Sequence, residues 1–200
     1  GSKVNLSITN STLNNVQVYG GLATNKGSTN ASGLVANLDA TSLIGEQEAW
    51  GGKANSIWVD ADTLTDAIAN NNTVNITNST DAEHTKTVNS QIFGGIASIT
   101  ASSAGSDFSK VTLTATGNKV NIDGNLKFTT ATGAAGQYYI AGAHAAQYSG
   151  SGSTVTLSNN SLTFNATANG PANSSGSIVG ALVTTDTASD TATKISVLNN

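Results

Sequence analysis

The chain has 200 residues, a net charge of -4 and no cysteine, which excludes disulfide frameworks, thiolate metal sites and cysteine nucleophiles. Charged residues are 10%, against about 25% in an average soluble domain. All eight cations are lysines and they do not cluster, so no counterion-releasing nucleic-acid surface is expected. Aromatics are 5%, so the core has to be thin and built of small aliphatics. Asn, Ser and Thr make up about 38% of the chain, a mixture that suits either disorder or a β-solenoid with uncharged polar faces. Short alternating Val/Ile/Leu runs and a single proline, Pro171, favour the solenoid. No apolar run approaches the length of a membrane span.

Gly1-Ser2 reads as an expression remnant, and residues 3–200 as one domain. Lys3-Val4-Asn5-Leu6-Ser7-Ile8 alternates apolar and polar with period 2, the pattern of a strand with one buried face. The same pattern returns at Thr73–Thr77, Lys119–Ile122, Ser161–Phe164 and Lys194–Val197. Most copies follow Asn or Gly-Asn (Asn70-Asn71-Asn72, Gly117-Asn118, Asn159-Asn160), residues that tolerate a left-handed corner.

A second pattern begins at Val16–Thr24, Val-Gln-Val-Tyr-Gly-Gly-Leu-Ala-Thr. It recurs at Glu48–Asn55, most clearly at Ser90–Ser98 (Ser-Gln-Ile-Phe-Gly-Gly-Ile-Ala-Ser), and weakly at Tyr139–Ala145 and Ile178–Thr184. An aromatic or β-branched residue before two small ones predicts a strand that bends, because glycine allows tight curvature and close backbone approach. Taking Gly20, Gly51, Gly94, Ala141 and Gly180 as equivalent gives steps of about 31, 43, 47 and 39 residues, the range of stacked repeats.

A third pattern closes each repeat, at Thr63-Leu64-Thr65, Val111–Thr114 and Val155–Ser158. Repeat two is irregular. Asp62–Asn70 also fits a short helix, with Asp62 as N-cap and Leu64 and Ile68 four apart. Three short strands in constant order, over about five repeats of roughly 40 residues, predict an all-β parallel β-helix, with a sandwich or barrel as the alternative. In one wide coil per repeat, like residues stack on like, Asn on Asn at the corners and Gly on Gly at the bend.

These Asn-x-Val-x-Ile strands and aromatic-Gly-Gly-x-Ala strands, in a Cys-free chain rich in Asn, Thr, Ser and Gly, resemble the repeats of bacterial autotransporter passenger domains. The resemblance is clear over residues 3–23 and 70–145 and fainter elsewhere. It implies a right-handed parallel β-helix exported by the type V secretion route to the bacterial cell surface. It implies as well that the chain is a piece of a longer passenger, held to the membrane only through a C-terminal barrel outside these residues. The implied work is adhesion to a host-cell or bacterial surface protein or glycan, with self-association included, or presentation of an adhesive region.

The alternatives are a polysaccharide-cleaving β-helix enzyme and an ice-binding solenoid. Against the enzyme stand the absence of Arg and the placement of Asp39, Asp60, Asp107 and Asp123 at different points of the repeat. His84 and His144 also lie in unlike segments, so no catalytic residues, cofactor or metal are expected. Asp60-Ala-Asp62-Thr-Leu-Thr-Asp66 begins like a calcium loop, but Leu64 stands where an oxygen ligand belongs. The ice-binding reading rests on Thr63/Thr65, Thr112/Thr114 and Thr156/Ser158 forming an outward ladder, against ordinary strand propensity for Thr. The candidate binding residues are Tyr19, Trp50 and Phe93. If their preceding neighbours point inward, these three form an outward aromatic stripe able to stack on a glycan or protein. The competing reading is that the glycines re-aim the strand, or the loops fold back, so that the ring positions are buried.

Overall fold

A computed structural model of the chain describes residues 5–57, 64–77, 86–87, 91–101, 106–129, 137–148, 150–169, 175–185 and 194–200. The first turn of chain holds β1 (Asn5–Asn25) and β2 (Thr29–Asn30), and the second holds β3 (Val35–Ile57) and β4 (Thr65–Ile68). The third holds β5 (Thr73–Thr77), β6 (Lys86–Thr87), β7 (Gln91–Thr100), β8 (Ser106–Asp107) and β9 (Val111–Thr116). In the fourth are β10 (Lys119–Thr129), β11 (Gln137–Tyr148), β12 (Gly150–Ser151) and β13 (Thr154–Ser158). The fifth contains β14 (Ser161–Asn169), β15 (Ser175–Thr185) and β16 (Lys194–Leu198).

Every strand pairing among the described residues is parallel, and each joins one turn of chain to the next, as in a β-solenoid. The largest sheet runs β14-β10-β5-β3-β7-β11-β15, with β1 and β6 also on β3. It is one sheet in pairing but two faces in space, because β1 and β3 run on round a corner. Their first parts carry β5, β10 and β14, and their last parts carry β7, β11 and β15. A separate sheet, β16-β13-β9-β4-β2, makes the third face, and β12-β8 is a minor pair.

Alternation dictates which side chains go in. Leu38, Val74, Ile76, Val120 and Ile122 of the first face meet Val18, Ile92 and Ile140 at the start of the second, all buried. Farther along, the second face supplies Ala54, Ala97, Ala143 and Ala145 against Ala67, Leu113, Ala115, Val155 and Leu157 of the third. The core is therefore branched aliphatic on one side and largely alanine on the other. The thin core expected from composition takes this form, and burial of these columns is the main driving force for stacking.

The corner between the third and first faces is polar and buried. Residues at positive φ begin it: Gly33 (73°), Asn71 (55°), Gly117 (67°), Asn159 (54°) and Asn199 (53°). The next residue in each turn is Leu34, Asn72, Asn118, Asn160 and Asn200, and these five stack. The backbone N–H of Asn72, Asn118 and Asn160 donates to the Oδ1 of the next asparagine at 3.0, 2.9 and 2.9 Å. Each Nδ2 also donates to that Oδ1, at 3.0, 3.0 and 2.7 Å. The same Nδ2 atoms reach back to the carbonyls of Ala31, Ala69 and Ala115 in the preceding turn. Leu34 opens the column by giving only its N–H, to Asn72 Oδ1. Asn200 has its Nδ2 on the carbonyls of Leu157 and Leu198. Successive members lie 38, 46, 42 and 40 residues apart.

Several expected alignments shift. Asn5 pairs with Val35 and, through it, with Thr73, so Ser7 and not Asn5 shares a row with Asn75. Val35-Ala36-Asn37-Leu38 is a further copy of the first pattern, which alternation alone does not reveal because alanine weakens its signal. Lys194–Val197 belongs to the third face, against β13, not to the first. In the bend strand, Gly142 and not Ala141 continues Gly94, since Ala141 pairs with Phe93 and Ala143 with Gly95. The helical alternative for Asp62–Asn70 falls outside the described residues at Asp62 and Thr63 and is overturned at Thr65–Ile68. That segment is strand, held between β2 and β9, with Thr65 and Ala67 fully buried and Leu64 80% exposed. Pairing on both edges outweighs a single i, i+4 contact.

Candidate functional site: the outer side of the bend strands

Two consecutive glycines sit at the bend of the first three bend strands (Gly20-Gly21, Gly51-Gly52 and Gly94-Gly95), and a glycine followed by alanine in the last two (Gly142-Ala143 and Gly180-Ala181). A Cβ on Gly94 would collide with the carbonyl oxygen of Gly142 and come within 2.8 Å of both the N and O of Lys119. A Cβ on Gly95 would meet the Asn118 side chain of the buried ladder. The first glycine thus makes room for the start of the next strand, and the second makes room for an asparagine. Both vacant side-chain positions point inward, so strand alternation loses one step across the pair. Residues before and after it, Phe93 and Ile96, consequently lie on the same outer side, while Ile92 and Ala97 enter the two inner clusters.

Tyr19, Trp50 and Phe93 are register partners, turn on turn, and Ala141 and Val179 continue the row. The aromatic character therefore covers three turns and stops. Tyr19 is half-buried and its hydroxyl donates to Gln17 Oε1 at 2.6 Å. Phe93 is 1% exposed. The side chain of Trp50 lies outside the described residues. An open stripe of three accessible rings is thus not formed at Phe93, which packs with Ile96 and Ala141 in a small cluster flanked by Tyr19, Tyr139, Val179 and Leu182.

The next outward row is Leu22, Lys53, Ile96, His144 and Leu182. His144 is 8% exposed, its ring 4.7 Å from that of Phe93 and its Nε2 3.1 Å from Thr184 Oγ1. Burial lowers its pKa to about 4, and the charge on Lys53 pushes the same way. The imidazole is held neutral by an apolar wall and one hydroxyl. Among the described residues no carboxylate orients it for acid–base work.

The acidic residues lie at several places in the repeat. Asp39 and Asp123 fall in one row, with Thr77 between them. Two strand spacings separate them by about 9–10 Å, and Asn165 Nδ2 donates to Asp123 Oδ1 at 2.7 Å. Asp107 lies elsewhere, in β8 beside β12, and its Oδ1 accepts the N–H of Ser109 at 2.8 Å. Asp60, Asp62 and His84 lie outside the described residues. Asp66 is exposed in β4. Among the described residues no three His, Asp or Glu side chains come together as a metal site would need.

The threonine rows also differ from expectation. Thr63 lies outside the described residues, and Thr65 points inward. On the third face Thr112 pairs with Thr154, Thr114 with Thr156, and Thr116 with Ser158, the last two hydroxyls 3.1 Å apart. On the first face Asn5, Asn37, Asn75 and Asn121 form a second, surface amide ladder with Nδ2 to Oδ1 distances of 2.8, 2.7 and 2.7 Å. Comparison with family models, with curated proteins and with solved structures finds no match for this chain.

Proposed function

We propose that the chain is a non-catalytic β-helical segment of a bacterial cell-surface protein of the autotransporter kind, serving adhesion or presenting an adhesive region. The turns would be right-handed, five repeats of roughly 40 residues each, as parallel strands joined by crossovers within one sheet nearly always are. The observation that supports this reading most is the buried asparagine column. Its amides are spent on one another and on backbone carbonyls from Leu34 to Asn200, so the interior polar chemistry serves stacking. Outwardly the turns carry Asn and Thr rows on two sides, with the half-buried Tyr19 on another.

A binding screen of the immobilised chain against glycans and against host and bacterial surface proteins tests the reading. A saturable ligand whose affinity falls with Trp50→Ala or Tyr19→Ala, without loss of thermal stability, is the expected result. Turnover of an acidic polysaccharide by the purified chain would overturn it in favour of an enzyme.

A further inference from the structure

The amide ladder on the outer side of the first face is used differently from the buried column. Its central row is Asn37, Asn75, Asn121 and Thr163, in unbroken register from turn to turn. Asn121 Nδ2 donates to Asn75 Oδ1, and Asn75 Nδ2 to Asn37 Oδ1, each at 2.7 Å. An amide offers two N–H donors and two acceptor lone pairs. In the buried column Asn118 uses all four. Its Nδ2 donates to Asn160 Oδ1 and to the Ala69 carbonyl, and its Oδ1 accepts from the backbone N–H and Nδ2 of Asn72. Asn75 uses one donor and one lone pair, and leaves the other two to the outside. Asparagine is a poor strand former, and Thr would hold a wet strand position better. Three middle turns, each paired on both sides, nevertheless carry it at the same point. Leu38, Val74, Ile76, Val120 and Ile122 anchor these strands from below, and Thr77, Lys119 and Asp123 beside the row are exposed.

We propose that this row is a binding site for a stacked polymer of 2-acetamido sugars, one whose chains are hydrogen-bonded to each other through their acetamido groups. Amides joined N–H to O=C stack at about 4.7–4.9 Å, because hydrogen-bond length and group thickness fix the interval. The turns of this chain and the stacked chains of such a polymer therefore share one period. The unused N–H and lone pair of Asn37, Asn75 and Asn121 meet the acetamido groups of three successive chains one for one. Bonds along the ladder hold each amide in place before the ligand arrives, so little side-chain freedom is lost on binding. The row itself carries no charge and no ring, so selectivity rests on the amide. A polymer of the same rings with hydroxyl or amine in place of the acetamido group does not match it. Ordered water would use the same spacing, but Lys119 and Asp123 in the flanking rows interrupt such a lattice. The site lies on a different face from Tyr19 and Trp50 and goes beyond the adhesive reading of that strip.

Depletion of the whole chain from solution by crystalline chitin tests this, with cellulose and chitosan at neutral pH as the hydroxyl and amine counterparts. Saturable binding to chitin is expected, and binding at least about tenfold weaker to the other two, the contribution of one or two hydrogen bonds. This comparison needs no variant. Asn75→Thr removes the middle amide and keeps a good strand former. It should weaken chitin binding about tenfold, with circular dichroism showing that the fold is kept. Asn121→Thr should do the same from the next turn, whereas Thr156→Val, on the third face, should leave binding as it is. Absence of binding to chitin, equal binding to cellulose or chitosan, or binding unchanged in both folded asparagine variants would each overturn the proposal. Loss of chitin binding with Trp50→Ala but not with Asn75→Thr would overturn it in favour of the other strip. Thermal hysteresis without chitin binding would overturn it in favour of ice.

Discussion

Asn118 and Asn160 are 42 residues apart in sequence and joined twice. The backbone N–H of Asn118 donates to Asn160 Oδ1 at 2.9 Å, and its Nδ2 donates to the same oxygen at 3.0 Å. Both residues are essentially inaccessible to water, so each link removed leaves a donor with no substitute. Asn118→Ala strips the acceptor from the N–H and Nδ2 of Asn72 and the donor from the Ala69 carbonyl. At roughly 1–3 kcal/mol per buried orphan, a loss of several kcal/mol is expected in urea unfolding. Asn200→Ala should cost less, because Asn200 is exposed. Equal losses at the two positions would mean that the column is not a buried network.

The glycine pair gives a graded test. Gly94→Ala drives a methyl group into the backbone of Gly142 and Lys119, which cannot move without breaking the pairing of two turns. A loss at the upper end of the roughly 1–3 kcal/mol typical of overpacking is expected. Gly21→Ala meets instead the tip of the Leu34 side chain, which can rotate away, and should cost clearly less. Thermal melts of the two variants settle the order, and a Gly94→Ala protein as stable as the parent would mean that the bend does not bring the strands so close.

These two features mark how far the sequence can be read. Asn on Asn at the corner and Gly on Gly at the bend follow from the recurrence of the motifs, because stacked turns place like positions together. What each residue does there is not legible. An asparagine at a turn looks like a left-handed conformer, and Asn71 and Asn159 are that, but Asn72, Asn118 and Asn160 beside them are buried amides. Alternation also fixes the buried face of a strand without fixing its register. The pattern accordingly sets Asn5 two residues, and Lys194 one face, away from where each lies, since neighbouring Asn/Ser/Thr positions are interchangeable by pattern. The outer side of the bend is harder still. A three-residue step from Phe93 to Ile96 on one side depends on both glycines pointing inward, which period-2 reading does not anticipate.

His144 should make the protein acid-sensitive. In the unfolded chain it takes up its proton near pH 6.5, whereas in the fold it stays neutral down to about 4. Its contribution is therefore complete above pH 6.5 and is lost as pH falls from there towards 4. The span corresponds to about 3 kcal/mol. His144→Gln keeps a partner for Thr184 and has nothing to titrate. The stability gap between parent and variant should shrink by about that amount between pH 7.5 and pH 4, measured by urea unfolding at each pH. A gap that stays constant would place the imidazole in water.

Phe93 and Trp50 occupy adjacent turns of one row, yet truncating them should have different consequences. Phe93 is buried against Ile96, Ala141 and the His144 ring, so Phe93→Ala removes contacts that nothing replaces. A loss of roughly 3–5 kcal/mol is expected, the usual cost for a core aromatic. His144, deprived of its wall, should then titrate closer to its ordinary value. Trp50→Ala, on the adhesive reading, should lower ligand binding with little change in melting temperature. Melting curves for both variants, with binding measured only on those that remain folded, separate the two roles. If Phe93→Ala leaves the melt unchanged, the outer cluster does not support the fold and the row as a whole is free for a ligand.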